Sequence, residues 1–218
     1  MDEFDFIMVI NDERDWCFYH IMKCGGTSIR SLLNDVSGSV DSRHMRIYKH
    51  IEVRYWPKPI TQKRVFTVVR NPWERFHSLY WDIKSRFRKM HKTENKNPQL
   101  KAWYLETAEY TEKFSFPDWI LHGKYIHPAE YKYTDNPLNT LEKSMSYCID
   151  GHDMDVIRLE DGQLLDEYLS DLLGYKVERD TLNKSKRPND YHKEYNRSAR
   201  DRVAEVCDED IRRWGYDF

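Results

Sequence analysis

Short apolar runs and helical stripes alternate along the chain in a repeating order. Cys17 to Met22 (CFYHIM) is mostly apolar and runs into Lys23-Cys24-Gly25-Gly26, which predicts a buried strand entering a glycine turn. Ile29, Leu32, Leu33 and Val36 then fall at i, i+3, i+4 and i+7, the spacing of an amphipathic helix. Thr27 or Ser28 is placed to cap it. Val65 to Val69 (VFTVV) is continuous, β-branched and uncharged, as a central parallel strand is. Arg70 sits at its carboxyl end. Asn71 can cap the next helix, Pro72 suits its first position, and Glu74 stands where a capping box needs it. Phe76, Leu79, Tyr80, Ile83 and Phe87 continue as a second stripe. Met154 to Leu159 (MDVIRL) predicts a third strand. Leu164, Leu165, Tyr168, Leu169, Leu172 and Leu173 predict a third helix, which Gly174 stops.

The intervals are less regular. Lys84 to Lys101 is polar and cation-rich and predicts loop or frayed helix. Residues 101–150 carry aromatic helical fragments, around Trp103, Tyr104, Phe116, Trp119 and Ile120, broken by Pro117, Gly123, Pro128 and Pro137. Lys176 to Asp190 reads as loop. Tyr191 to Trp214 reads as one final helix, with Tyr195, Ala199, Val203, Val206 and Ile211 roughly in phase. No repeat or biased linker divides the chain, so one domain over residues 1–218 is expected. Repeated strand–turn–helix units predict an α/β fold with a central, mainly parallel sheet and helices on both faces. In that architecture ligands bind at the carboxyl ends of strands, where Lys23 and Arg70 both fall.

Composition narrows the function classes. The chain has 218 residues, with 35 Lys and Arg against 37 Asp and Glu, a formal net charge of −2. That balance excludes a globally basic nucleic-acid coat protein and an acidic disordered tail. Charged residues reach 33% and mean hydropathy is −0.87, yet aromatics are 14%. Much of the core area must therefore come from Tyr, Trp and Phe. No apolar run approaches the roughly 20 residues that span a bilayer. The acidic start, Met1 to Phe6, lacks the basic region of a signal peptide, and a soluble, cytoplasmic protein is expected. Cys17, Cys24, Cys148 and Cys207 are widely spaced with no CxxC pair, and reduced thiols are expected.

Two constellations carry chemistry. In His20-Ile21-Met22-Lys23-Cys24-Gly25-Gly26-Thr27-Ser28 the glycines let successive N–H groups converge on an anion, and the following helix adds its positive end. Lys23 supplies a cation; Thr27 and Ser28 supply hydroxyls. The lysine precedes the glycines, so this is not the Gly-Lys-Ser/Thr phosphate loop of nucleotide hydrolases. The same loop also reads as an ordinary strand–helix turn. In Arg70-Asn71-Pro72-Trp73-Glu74-Arg75-Phe76-His77-Ser78 a strand-end guanidinium suits bidentate phosphate binding, and Ser78 can add one bond. A strand-end arginine equally serves in structural ion pairs.

Taken together, these stretches resemble the sulfotransferases that use 3′-phosphoadenosine 5′-phosphosulfate (PAPS), and most of all their carbohydrate branch, which includes the heparan and chondroitin sulfate enzymes. His20 to Ser28 is similar to that family's His-Ile-Pro-Lys-Thr-Gly-Gly-Thr-Ser loop, with Met22 for Pro and Cys24 for Thr. Val69 to Tyr80 matches its Val-Arg-Asn-Pro-x-x-Arg-x-x-Ser-x-Tyr pattern at each specified position. Asn183-Lys184-Ser185-Lys186-Arg187-Pro188 resembles its Asn-Lys-Ser loop. Asp210 to Phe218 resembles its closing Asp-x-x-x-x-x-Gly-Tyr-x-Phe with one residue fewer. Residues 84–150 show little of the likeness.

The resemblance implies a P-loop-like three-layer fold and transfer of a sulfuryl group from PAPS to a hydroxyl, leaving 3′-phosphoadenosine 5′-phosphate (PAP). Lys23, Cys24, Gly25, Gly26, Thr27 and Ser28 would hold the 5′ end, Arg70 and Ser78 the 3′-phosphate, and Lys184, Ser185, Lys186 and Arg187 the remainder, with no metal. A general base near neutrality is implied between the two motifs. His44 and His50 are the candidates; the spacing to Val65 favours His50, with Glu52 in reserve. Lys23 and His50 are thus the expected catalytic pair. His20 reads as structural, and His77 neighbours Ser78. Lys84, Arg86, Arg88, Lys89, Lys92 and Lys96 read as a solvated face or as a contact for an anionic acceptor. Expected partners are a small-molecule or glycan acceptor, with neither nucleic acid nor membrane. Two other readings stay open: a catalytically silent PAP or PAPS binder, and a P-loop-type nucleotide phosphotransferase.

Overall fold

Parallel strands need a crossover, whereas a tight turn returns the chain antiparallel. Both connections occur in the sheet. The computed structural model describes residues 7–41, 60, 62–90, 109–122, 144–151, 153–178 and 187–218. Strand β1 (Ile7–Asn11) turns back at once into β2 (Trp16–His20), with Asp15 left-handed at φ 57. The pair is therefore antiparallel, with Val9 opposite Phe18. After β2, helix α1 (Gly26–Asn34) leads to the short β3 (Ser39–Asp41), which pairs antiparallel with β1. Strand β4 (Arg64–Val69) lies parallel to β2, and β5 (Asp155–Arg158) parallel to β4. The order is β3-β1-β2-β4-β5. The fold is thus α/β with a five-stranded mixed sheet. Its three parallel strands are those expected from CFYHIM, VFTVV and MDVIRL; the antiparallel pairs are the β1–β2 hairpin and the edge pair of β1 with β3.

The chain divides into two compact units, each built from two separate stretches of sequence. The first comprises Met1–Asn71 and Met145–Asn183. It contains the sheet, α1, a short helix α4 (Met145–Ile149) and α5 (Gly162–Leu173). One face of the sheet supplies Val9, Trp16, Phe18, Phe66 and Val68 to a core with Ile29 and Leu33 of α1 and Leu165, Leu169 and Leu173 of α5. The Phe18 and Phe66 rings lie 5.0 Å apart, and Tyr168 meets Phe66 at 5.2 Å. The alternate positions, Met8, Cys17, Tyr19, Val65 and Thr67, are buried too, as a sheet with both faces covered requires. Helix α5 ends as expected at Gly174, which is left-handed (φ 77).

The second unit comprises Pro72–Ser144 and Lys184–Phe218. Helix α2 (Pro72–Met90) begins at the expected proline and extends through Met90, so the first part of the cation-rich stretch takes the helical one of its two expected forms. Helix α3 (Phe116–His122) buries Phe116, Trp119 and Ile120. The predicted final helix is three pieces: a 3₁₀ turn over Tyr191–Glu194, α6 (Arg197–Val206) and α7 (Asp208–Trp214). The first break follows from Asn196, whose extended backbone lets its side chain accept from the Ala199 amide at 2.8 Å as an N-cap. Aromatic side chains here are tied by their polar ends. Tyr80 Oη donates to the carbonyls of Phe114 (3.0 Å) and Thr111 (3.2 Å), and Trp73 Nε1 donates to the Arg200 carbonyl (3.0 Å).

All four cysteines are free and buried. Burial pushes the Cys17 and Cys207 thiols up to about 12, which keeps them protonated and unreactive. Among the described residues no helix is long and apolar enough to cross a membrane.

Phe66→Ala is expected to destabilise the protein by about 3–5 kcal/mol in urea unfolding, because it leaves a cavity at the centre of the first unit's core. Leu164→Ala, at a position 59% exposed, should shift stability by less than about 0.5 kcal/mol.

Candidate functional site

In the first unit, the carboxyl ends of β2 and β4 bring Lys23 of the first constellation and Arg70 of the second together. Beyond β2 the backbone bends sharply. Lys23 is left-handed at φ 64 and Gly25 at φ 76. A lysine there costs on the order of 1–2 kcal/mol, and surrounding bonds must hold it. One of them comes from the neighbouring strand end: Arg70 Nη1 donates to the Lys23 carbonyl at 3.1 Å. Left-handed residues thus stand at 23 and 25, and Gly26 opens α1. Left-handed residues interleaved in a turn are a feature of anion-binding nests. Helix α1 has Gly25 as its N-cap with no side-chain cap hydrogen bond. The cap expected from Thr27 or Ser28 is absent because the cap residue is the left-handed glycine before them.

Both glycines also lie close against neighbouring side chains. A Cβ on Gly25 would come within 2.7 Å of Leu159 Cδ1, and one on Gly26 within 1.9 Å of His20 Cδ2. His20 is accordingly a packing residue; its ring stacks on Phe18 with centroids 6.0 Å apart. Cys24 turns inward, 1% exposed, with Sγ at 3.5 Å from Met145 Sδ and 3.6 Å from the Met22 carbonyl. Its side chain therefore belongs to the core, and its amide donates to the Ile21 carbonyl at 3.4 Å. The Met145 thioether also lies 3.5 Å from the Arg70 amide, so α4 buttresses both strand ends.

Arg70 is 7% exposed. Beside it the Asn71 amide donates to Glu160 Oε1 at 2.7 Å, so the carboxylate just past β5 takes the N–H that a capping box would give to Glu74. Glu74 instead pairs with Arg187, Oε1 to Nη2 at 2.8 Å, within the second unit. At the end of β5, Arg158 forks onto Asp161 at 2.8 and 3.0 Å, and this hydrogen bonding holds the Asp161 carboxyl below its ordinary range. Sequence patterns did not single out Glu160 or Arg158. Their signal was positional, as residues ending the third predicted strand at the same rim.

The remaining expected residues divide as follows. Ser78 is buried on α2 and Arg187 is engaged by Glu74, both in the second unit. His50, His44, Glu52, Lys184, Ser185 and Lys186 lie outside the described residues. Among the described residues no cluster of His, Cys, Asp and Glu is arranged to hold a metal ion.

Comparison with known protein families finds no matching family, and comparison with characterised proteins and with solved structures finds no match.

Gly26→Ala is expected to lower stability by more than the roughly 1 kcal/mol that strain alone costs at Gly174, where a Cβ meets nothing within 4 Å. Adding His20→Ala should recover part of that loss in a double-mutant cycle, because it removes the ring that the new methyl strikes.

Proposed function

We propose that the chain is a PAPS-dependent sulfotransferase acting on a hydroxyl of a carbohydrate or glycoconjugate. The observation that carries the reading is the Lys23–Gly26 turn at the end of β2, braced by Arg70 from the end of the neighbouring parallel strand. The sequence likeness at both stretches supports the same conclusion, and with it a P-loop-like three-layer architecture.

The residues present fit a polyanionic donor. An uncapped helix N-terminus and alternating left-handed residues favour negative charge, and two cations stand at adjacent strand ends. In this reading the amides of Gly25, Gly26 and Thr27 hold the donor's 5′ end, with Cys24 and Ser28 contributing from the same turn. Arg70 takes the 3′-phosphate. The assignments of Ser78, Lys184, Ser185, Lys186 and Arg187 to the donor rest on the resemblance. When bound, PAPS supplies an activated sulfuryl group with PAP as its leaving group. Lys23 places a mobile ammonium where negative charge grows on departure. His50 accepts the proton of the acceptor hydroxyl, whose own pKa lies far above neutrality. Arg70 has a double role, since the guanidinium that meets phosphate also holds the Lys23 backbone.

Calorimetry should show PAP binding and much weaker ATP binding; preference for ATP would favour a phosphotransferase. Arg70→Ala should weaken PAP binding at least tenfold, the loss of about 1.5–3 kcal/mol usual for hydrogen bonds to charged groups. Unchanged affinity would remove the 3′-phosphate assignment.

His50→Ala should abolish transfer of labelled sulfate to an acceptor panel while PAP affinity is kept. Activity within a few-fold of the parent would move the base elsewhere. Absence of transfer by the parent itself, with PAP still bound, would leave a silent nucleotide binder.

A further inference from the structure

The second unit holds a buried histidine for which the proposed chemistry has no use. His77 lies on α2 and is 1% exposed. Its Nε2 is 3.3 Å from Glu194 Oε2, on the 3₁₀ turn. Trp81 Nε1 lies 3.0 Å from the same carboxylate oxygen and 3.0 Å from His77 Nε2. The arrangement that satisfies most groups has His77 Nε2–H and Trp81 Nε1–H both donating to Glu194. The other ring nitrogen, Nδ1, is buried and has no hydrogen-bond partner among the described residues. In the neutral ring it is a lone pair, which costs little. A second proton there would be an N–H in the interior with no acceptor, which costs far more.

We propose that His77, Glu194 and Trp81 form an acid-sensitive latch that holds the 191–194 turn on α2 when the imidazole is neutral and releases it on protonation.

The surroundings favour the neutral ring. Phe116 packs edge-on against it at 5.3 Å and Tyr191 lies 6.4 Å away. Burial is the main influence lowering the His77 pKa from its ordinary 6.5. The positive charge of Arg187 adds to it; the Glu194 hydrogen bond and the charges of Glu194 and Glu74 oppose it, and burial prevails. The sign follows. The exposed ring in the open form protonates near 6.5, whereas the closed form resists. Closure is therefore at full strength above about pH 6.5 and weakens as pH falls, until the closed ring protonates as well. Release frees a turn that also carries Tyr191, stacked on His192 at 4.0 Å and set against Phe218 at 6.0 Å. The same stretch of chain carries Arg187. The latch stands without the sulfotransferase reading; only its consequence for donor affinity, through Arg187, rests on that reading.

Hydrogen exchange on the whole chain, corrected for intrinsic rates, tests the latch. The Tyr195 amide, bonded to the His192 carbonyl at 3.3 Å, and the Trp81 indole report it. Between pH 7.5 and 5.5 their opening constants should rise severalfold, by at most about tenfold per pH unit below 6.5, while the Tyr80 amide in the middle of α2 changes much less. His77→Gln and His77→Phe should abolish the rise. The same rise in either variant, or an equal rise at Tyr80, overturns the proposal. So does no rise in the parent. Should neither variant fold, the parent decides, because the opening must track the His77 ring titration followed by NMR. In a separate arm, PAP affinity should fall more between pH 7.5 and 5.5 in the parent than in His77→Gln. If PAP does not bind at all, the functional reading fails while the exchange result still judges the latch.

Discussion

The parallel pairing of β2 with β4 is the constraint on which the first unit depends. Its register sets Cys17 against Val65 and Tyr19 against Thr67, so the two strands reach the same rim of the sheet within a residue or two. Only then can residues as distant in sequence as Lys23 and Arg70 share one hydrogen bond. The pairing also aligns Phe18 with Phe66 on the face that α1 and α5 cover, so one register serves the core and the rim together. A one-residue slip of either strand would turn its own aromatic ring to the other face, part Phe18 from Phe66 and offset the strand ends.

What could be read beforehand followed from how local each signal is. The helices α1 and α5 are strongly periodic over short spans, and their apolar stripes became the core they implied. Gly174 ended α5 as a left-handed residue because nothing else in that helix could. The antiparallel strands β1 and β3 were missed because IMVIN and SVD are short, and their partners are set by the sheet rather than by their own sequence. Tyr191 to Trp214 read as one helix because its apolar residues stay in phase across Asn196 and Cys207. The competing signal was a single side chain, the Asn196 cap, whose preference for extended backbone outweighs periodicity. Lys23 and Arg70 at strand ends were legible, since strand prediction alone puts them there. The bond between them was not, nor was the Glu160 carboxylate beside it, because both depend on strands far apart in the chain.

Glycine requirements in the turn after β2 have two independent causes. Gly25 needs its positive φ, which forms the nest, and also the absence of a Cβ beside Leu159. Gly26 has ordinary helical backbone and is required only because the His20 ring occupies its Cβ position. Half of the Gly-Gly signature is thus a packing requirement. The remaining feature of the turn is the left-handed Lys23, a non-glycine residue whose backbone is held by Arg70 at the start of a helix with no side-chain cap.

The same separation applies to the stretch from Arg70 to Tyr80, where most positions have structural occupations. Trp73 reaches the Arg200 carbonyl, Glu74 pairs with Arg187, His77 meets Glu194, and Tyr80 ties two carbonyls before α3. These bonds follow from the composition. A polar chain with few aliphatics builds its second unit from aromatic and ionisable side chains, whose polar ends must each find a partner inside. A match to a motif at every specified position therefore carries less functional weight than its length suggests, since many of the matched side chains are used in building the helical unit. Arg70 differs because its guanidinium is bonded to the Lys23 carbonyl and so ties the ends of two strands that lie far apart in the sequence. An oxyanion meeting that guanidinium would also tighten the brace on Lys23, coupling the occupancy of one strand end to the conformation of the other.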